Sequence, residues 1–549
     1  MSIRMYCLSV LLFISPAILH AGTINYAHVT EHTEEVAIVR QSSLTHDAWF
    51  SCLFRDQSCA TVASSTTLTV SSTPQLSPTF SEIRPLLPLG ATNLTRSPDN
   101  QYIAFYIPGT HTRNQRTFGV IYLPTSTISL KTEPVHYWDL LTEGIRIFSF
   151  SPDGKTLLYI SDEKGYPTLY RVDLTTPPQA GVLKSTKMFT RDYTVADVIW
   201  KDDNTLLFIA NRDNPYNYAL YQYSLHTHEL KKLRDNASYA TRLTRIGNLI
   251  LFSEITDSGV RPVFYHTETG LFKNFNLPDT GAKKIQGKVV TTLKEGLSGV
   301  FFLEENKNSD TLIVWLHGGP YRQASLYYHP YKSYGGYDFV LEKARSAQVG
   351  ILKLDYPGSA GFGRIFAESL TGNVGKEDVR KSSVAIADFA KRNGYKNVYL
   401  MGNSYGGYLA LRLLVENPSL YKGAFSINGV TDWTTMLTAL DSSIFNVHFG
   451  GTVGDENDNY NLYAQASVYN RAEKITNQKI ILMHGTSDRT IPSRQSEGFA
   501  TFLTSIGKAV TYIPLQGEDH VFSKPESFTL LCETTLLFVG KSKTGHCAL

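Results

Sequence analysis

The chain has 549 residues, and its 52 lysines and arginines against 49 aspartates and glutamates leave a formal charge of only +3, so bulk electrostatics do not point to nucleic acid or an anionic membrane. A hydrophobic content of 42%, with 12% aromatic and 18% charged residues, supplies material for packed cores and excludes a disordered protein. The length exceeds the roughly 250–300 residues at which one core stops growing, so two domains are expected.

The first residues read as an export signal. Arg4 gives a positive start, Leu8-Ser9-Val10-Leu11-Leu12-Phe13-Ile14 a short apolar stretch, and Ala21 a small residue for cleavage. That stretch is well short of the roughly 20 residues of a spanning helix. Residues 1–21 are therefore read as a signal peptide, the mature chain as starting near Gly22, and the product as exported (periplasmic or secreted) without stable membrane insertion after signal removal. Cys7 leaves with the signal. The other cysteines form two close pairs, Cys52 with Cys59 and Cys532 with Cys547, and an even set in an exported chain suggests two disulfides. Four unpaired thiols are the alternative, and neither pair has the spacing of a structural zinc site.

Residues 64–79 are rich in Ser, Thr and Pro and read as an exposed loop or linker. A turn-then-strand figure then recurs. Ser97-Pro98-Asp99-Asn100 precedes Tyr102–Tyr106, Ser151-Pro152-Asp153-Gly154 precedes Thr156–Ile160, Lys201-Asp202-Asp203-Asn204 precedes Leu206–Ile209, and Gly247-Asn248 precedes Leu249–Phe252. The intervals are 54, 49 and 46 residues, and units such as Thr168–Val172 and Ala219–Tyr223 add a second aromatic strand. A period near ~50 residues of short strands and polar turns is the pattern of propeller blades. Residues 22–281 are read as an all-β propeller-like domain, short at about five blades of ~50 residues; an irregular β-sandwich is the alternative.

From about Ala282 strands alternate with helices. Leu312–Leu316, Ile351–Leu354, Val398–Met401, Ile480–Met483 and Val510–Ile513 are continuous apolar strands, and 379–391 is helical with apolar residues at Val384, Ile386, Ala387, Phe389 and Ala390. Such a chain makes a mostly parallel sheet covered on both faces, so residues 282–549 are read as an α/β domain.

Gly402-Asn403-Ser404-Tyr405-Gly406-Gly407 lies between a predicted strand and a helix that runs to Asn417-Pro418. This is the Gly-x-Ser-x-Gly arrangement, whose glycines allow the sharp turn that lifts a serine hydroxyl above the sheet. A serine needs a base and a group that orients the base. His484-Gly485-Thr486-Ser487-Asp488 follows one later strand and Gln516-Gly517-Glu518-Asp519-His520 the next, so both segments lie at the carboxyl ends of strands, where α/β sheets place their sites. The order Ser404, Asp488, His520 is that of an α/β-hydrolase catalytic triad. His484 lies upstream of Asp488 and is read as structural. Glu518 and Asp519 adjoin His520 in sequence and rarely could reach its far ring nitrogen, so Asp488 is preferred as the acid.

His317-Gly318-Gly319-Pro320 follows the first apolar strand, where one backbone N–H of an oxyanion hole is expected. Gly319 is the preferred donor, Gly318 is close behind, and the N–H of Tyr405 is the second donor.

These motifs, with Ser404-Tyr405-Gly406-Gly407-Tyr408, make the chain resemble the prolyl oligopeptidase family of serine peptidases, closest to its acylaminoacyl-peptidase and dipeptidyl-peptidase branches. Asp355-Tyr356-Pro357-Gly358-Ser359-Ala360-Gly361-Phe362-Gly363 and Gly429-Val430-Thr431-Asp432-Trp433 resemble further family segments. Pro357 stands where the family commonly has Arg and Val374 where Trp is usual, and no paired-glutamate motif for a substrate amino terminus is identified. The resemblance implies a serine peptidase that acts on short peptides through an acyl-enzyme, with no metal or organic cofactor, and the N-terminal segment implies that it is exported. A carboxylesterase and an inactive binding protein are the alternatives, and an oligomer is compatible with the sequence.

Overall fold

The computed structural model describes residues 25–547 except 33–35, 43–46, 54–58, 63–91, 108–114, 123–128, 137–147, 162–164, 176–184, 240–241, 257–258, 275–287, 291, 303–308, 327–328, 330–331, 439–455 and 543–546. The inferred signal, the Ser/Thr/Pro-rich stretch and the expected boundary at 281/282 lie outside the described residues.

The repeats are four-stranded antiparallel sheets. One holds Thr92–Arg96, Tyr102–Ile107, Gln115–Tyr122 and Ser129–His136. The next holds Phe148–Phe150, Thr156–Ser161, Thr168–Asp173 and Ser185–Lys187. A third holds Val195–Asp202, Thr205–Asn214, Asn217–Ser224 and Leu230–Arg234. The fourth, Thr244–Ile246, Leu249–Thr256, Gly259–His266 and Phe272–Asn274, pairs in parallel with Asn25–His32 through Asn25↔Gly259 and Tyr26↔Val260. Asn25–His32 opens a further sheet with Val36–Ser42, Asp47–Leu53 and Cys59–Val62, so the first and last units are joined. Cys52 and Cys59 face each other in its backbone register, and their side chains lie outside what is described.

The recurring Ser-Pro-Asp turns have a common bonding pattern. Ser97 Oγ donates to Asp99 Oδ1 at 2.6 Å and accepts the N–H of Tyr102 at 2.9 Å, and Ser151 repeats both bonds with Asp153 and Thr156 at the same distances. Each turn therefore caps the strand that follows. Strand alternation sends Leu157, Tyr159 and Tyr170 to one face, against Tyr102, Ala104 and Val120 of the preceding unit. Leu158, Ile160 and Leu169 go to the other, against Val198, Trp200, Leu206 and Phe208 of the next. A unit buries both faces only between neighbours, which is the physical basis of a propeller-like array.

The hydrolase sheet has eight strands: β1 Lys288–Val290, β2 Ser298–Phe302, β3 Thr311–Leu316, β4 Gly350–Asp355, β5 Asn397–Asn403, β6 Gly423–Ile427, β7 Lys479–Gly485 and β8 Thr511–Leu515. Their order is β1-β2-β4-β3-β5-β6-β7-β8, antiparallel at β1 and β2 and parallel thereafter. Helices α1 (Lys332–Ser346) and α5 (Pro525–Phe538) contribute to the core on one face. Helices α2 (Glu377–Arg392), α3 (Tyr405–Glu416) and α4 (Arg494–Ser505) contribute to the other. In α2 the buried stripe runs through Val379, Ala385, Ile386, Phe389 and Ala390, whereas Val384, counted among its apolar positions from the sequence, is 37% exposed on the outer side. Cys532 and Cys547 form a disulfide that ties α5 to the C-terminal end of the described chain.

Candidate active site

Ser404 caps α3 at the end of β5, with φ 55° and ψ −123°, a conformation seldom adopted by a residue bearing a Cβ. The flanking glycines make this turn physically accessible. A Cβ on Gly402 would lie 2.5 Å from the Gly406 backbone, and one on Gly406 would overlap the carbonyl of Leu316 in β3. The motif spacing thus packs a turn directly against the neighbouring strand.

The structure brings the three sequence-predicted residues together. His520 Nε2 lies 3.0 Å from Ser404 Oγ, and His520 Nδ1–H donates to Asp488 Oδ2 at 2.7 Å. Asp488 Oδ1 accepts the N–H groups of Thr490 and Ile491 at 2.9 and 2.8 Å. Burial alone would push its carboxyl up, but the imidazoles of His484 and His520 and the Ile491 N–H outweigh that and hold it down at about 2. It is an ionised partner suited to orienting an imidazole and stabilising its positive charge.

The competing residues are engaged elsewhere, although His484 Nε2 also lies 3.3 Å from Asp488 Oδ2. His484 Nε2–H donates to Ile491 O at 2.8 Å, and its Nδ1 lies 2.7 Å from Ser496 Oγ. Glu518 accepts bonds from Ser523, Lys524 and Ser527 and organises the loop after β8. Asp519 Oδ1 accepts the backbone N–H of Arg489 and of His520 itself.

The His317–Pro320 loop lies beside the serine: a Cβ on Gly318 would stand 3.0 Å from Ser404 Cβ. The Gly318 N–H donates to Asn403 Oδ1 at 3.1 Å, and Gly319 follows with φ 123°. His317 is buried, its Nδ1–H donates to Gly318 O at 2.8 Å, and its Nε2 lies 2.9 Å from Ser359 Oγ and 3.3 Å from Asp355 Oδ1.

Two site residues were missed from the sequence. Asn403 stood as a variable position of the motif, yet it fastens the glycine loop to the serine turn. Asn428, just past β6, donates from Nδ2 to His520 O at 2.9 Å and accepts the Gly485 N–H on Oδ1 at 2.9 Å, so it ties the base loop to the acid loop. An asparagine after a short strand is a common turn signal, and β6 itself was not singled out.

Comparison with known proteins agrees with this architecture. Residues 336–543 match the prolyl oligopeptidase family, and residues 92–245 match the N-terminal region of dipeptidyl peptidase IV. The chain is 25% identical over 237 residues to the acylamino-acid-releasing enzyme of Arabidopsis thaliana, an alignment covering 41% of this chain and 29% of that protein. It is 25% identical over 224 residues to dipeptidyl aminopeptidase BIII of Pseudoxanthomonas mexicana, covering 39% of this chain and 31% of that one. The matched part thus spans less than a third of the length of these curated relatives. A solved puromycin-hydrolyzing peptidase from Mycobacterium tuberculosis superposes over 95% of this chain and 87% of its own with a TM-score of 0.68 at 18% identity, which is a likeness of fold. The fold is an α/β-hydrolase domain, matched over residues 336–543 by the prolyl oligopeptidase family, preceded by a β-rich, propeller-like domain.

Proposed function

We propose that this prolyl oligopeptidase family chain is an exported serine peptidase that cleaves short peptides through an acyl-enzyme. The observation that carries the reading is the continuous contact from Ser404 Oγ through the His520 imidazole to the Asp488 carboxylate. Ser404 Oγ attacks the scissile carbonyl carbon as His520 Nε2 takes its proton, and a tetrahedral oxyanion forms. The C–N bond then breaks, with the proton passing from His520 to the departing amine. Water, deprotonated by the same nitrogen, attacks the acyl-enzyme, and collapse of the second intermediate returns the proton to Ser404. Gly319 and Tyr405 donate their backbone N–H groups to the oxyanion. The engagement of the Gly318 N–H by Asn403 supports Gly319 as the donor from that loop.

Two of the relatives are named as an acylamino-acid-releasing enzyme and a dipeptidyl aminopeptidase, which supports peptides as substrates. The N-terminal apolar stretch supports export, with the mature protein starting near Gly22 and the hydrolase domain near Ala282.

The test compares wild type with Ser404→Ala on a peptide library and on simple esters, with fluorophosphonate labelling alongside. Amide hydrolysis and labelling in wild type, both abolished by the substitution, are expected. Equal labelling of the variant would refute Ser404 as nucleophile, and ester turnover without amide turnover would make the protein a carboxylesterase.

A further inference from the structure

A tyrosine of the β-domain reaches the carboxylate that ends β4 and borders the oxyanion loop. Thr205–Asn214 and Asn217–Ser224 form a hairpin of the β-domain, and its tip is Asn214-Pro215-Tyr216-Asn217. Tyr216 is buried although it lies at a hairpin tip, because the tip is inserted into the hydrolase domain: its ring meets Phe362 edge-on at 5.9 Å. Its hydroxyl donates to Asp355 Oδ2 at 2.6 Å, across 139 residues of sequence. Asp355 ends β4, is fully buried, and turns its other oxygen to the loop after β3. Oδ1 accepts the N–H of Ala324 at 2.8 Å and lies 3.3 Å from His317 Nε2. A second bond joins the same tip to the same loop, from Gln323 Nε2 to Pro215 O at 2.8 Å. The loop after β3 is therefore held at Ala324 by the Asp355 carboxylate and at Gln323 by the hairpin backbone, and the same carboxylate borders His317 at the loop's start, with Gly318 and Gly319 between.

We infer that Tyr216 is a positioning residue for the oxyanion loop: through Asp355 it fixes the placement of the Gly319 N–H, and the hydrolase domain has a correctly set oxyanion site only while this β-domain hairpin is docked. The inference rests on the serine-peptidase reading above. Its physical warrant is that an oxyanion donor is effective only when held in advance where charge develops, so a small displacement affects the transition state more than the bound substrate. A tyrosine hydroxyl bonded to a buried carboxylate fixes one side of that carboxylate and so limits its rotation away from the Ala324 N–H. The glycine loop has no bulky side chain at 318 or 319 to set its own position, which makes external anchoring consequential.

The test uses the full chain. Tyr216→Phe keeps the ring against Phe362 and removes only the hydroxyl, and Gln323→Leu severs the second bond. In each, kcat is expected to fall about tenfold, less than complete loss of an oxyanion donor, with KM changed by under about twofold. The affinity for a peptidyl trifluoromethyl ketone, which forms a tetrahedral adduct on the serine, is expected to fall by the same factor as kcat/KM, measured well below the thermal midpoint of each variant, which loss of a buried bond lowers. A product peptide should bind the variants as it binds wild type. Wild-type kcat and ketone affinity in both variants would overturn the inference. So would losses that weaken product binding as much as ketone binding, or that vanish at temperatures far below each variant's thermal midpoint, since those mark a general structural role. Failure of the serine-peptidase reading is seen separately, as wild type that neither hydrolyses amides nor takes up the ketone.

Discussion

Tyr405 Oη donates a 2.7 Å hydrogen bond to Asp378 Oδ2, so the residue whose backbone follows the nucleophile is anchored by its phenol to the first turn of α2. Both groups are fully or nearly fully buried. Burial raises the Asp378 carboxyl to about 6, although the Tyr405 hydroxyl, nearby backbone N–H groups and Arg412 all favour the ionised form.

This gives a stability signature of definite sign. A carboxyl whose pKa is higher folded than unfolded binds protons preferentially in the folded state, so its contribution is most favourable at low pH and weakens as pH rises from about 4 to about 6. Asp378→Asn removes that dependence. Denaturant titrations across this window should show the variant gaining up to about 3 kcal/mol relative to wild type as pH rises. A constant difference would mean that Asp378 does not titrate there.

Asp488 has the opposite sign. With its carboxyl held at about 2, its favourable contribution is present above the ordinary Asp value of 3.8 and is lost as pH falls from there through about 2. It therefore stays ionised at neutral pH, and mild acidification does not protonate the acid. Asp488→Asn is expected to lower kcat by roughly four orders of magnitude, since an amide favours the wrong imidazole tautomer. Asp519→Asn should cost less than about tenfold, because Asp519 holds only backbone N–H groups. Steady-state kinetics on the two variants distinguishes them, and a crippled Asp519→Asn with a healthy Asp488→Asn would reverse the assignment.

Asn428 offers a test of the link between the acid and base loops. Its φ is 48°, a value glycine adopts freely, so Asn428→Gly removes the two side-chain bonds without adding backbone strain. The Gly485 N–H then loses its acceptor, at a cost of about 1–3 kcal/mol in unfolding free energy. The His520 loop loses its tie to β6, and kcat should fall about tenfold. Unchanged kcat together with the stability loss would show that Asn428 supports the fold without setting the base.

The residues legible in the sequence were those whose role is enforced by local geometry. Gly402 and Gly406 are required because their neighbours leave no room for a Cβ, and Ser97 and Ser151 because each caps its own strand within a few residues. Local constraint of this kind leaves a short, recurrent pattern. Asn428, Asp378 and Tyr216 act across 92, 27 and 139 residues, so no spacing rule marks them. The same holds for the sheet that begins at Asn25: it lacks the Ser-Pro-Asp turn, and its place is set by pairing with Gly259 far along the chain. Strand β6 went unnoticed because Gly423-Ala424-Phe425-Ser426-Ile427 is short and three of its five residues are small, although all five are buried.

The docking of the two domains also bears on substrate size. The hairpin bonds reach Gln323 and Asp355, in the loop after β3 and at the end of β4; Asn211 Nδ2 donates to Gly361 O at 3.2 Å, and the Arg364 N–H donates to Gly165 O at 2.6 Å. All four hydrolase positions lie at or beyond the carboxyl ends of strands, the edge that also carries Ser404. The β-domain is thus fastened over the side of the sheet from which a substrate must approach. A flexible peptide can pass through a restricted entrance, whereas a folded domain of about 100 residues has a radius of gyration near ~13 Å and would have to unfold first. Short peptides are therefore expected to be hydrolysed at least about a hundredfold faster than the same cleavable sequence inside a folded domain, after correction for the slower reaction intrinsic to a structured segment. That correction comes from a small serine protease with an open site, assayed on the same pair. If the ratio of rates for this protein equals the ratio for the open protease, the β-domain does not restrict access, and its contribution is confined to the anchoring of the oxyanion loop.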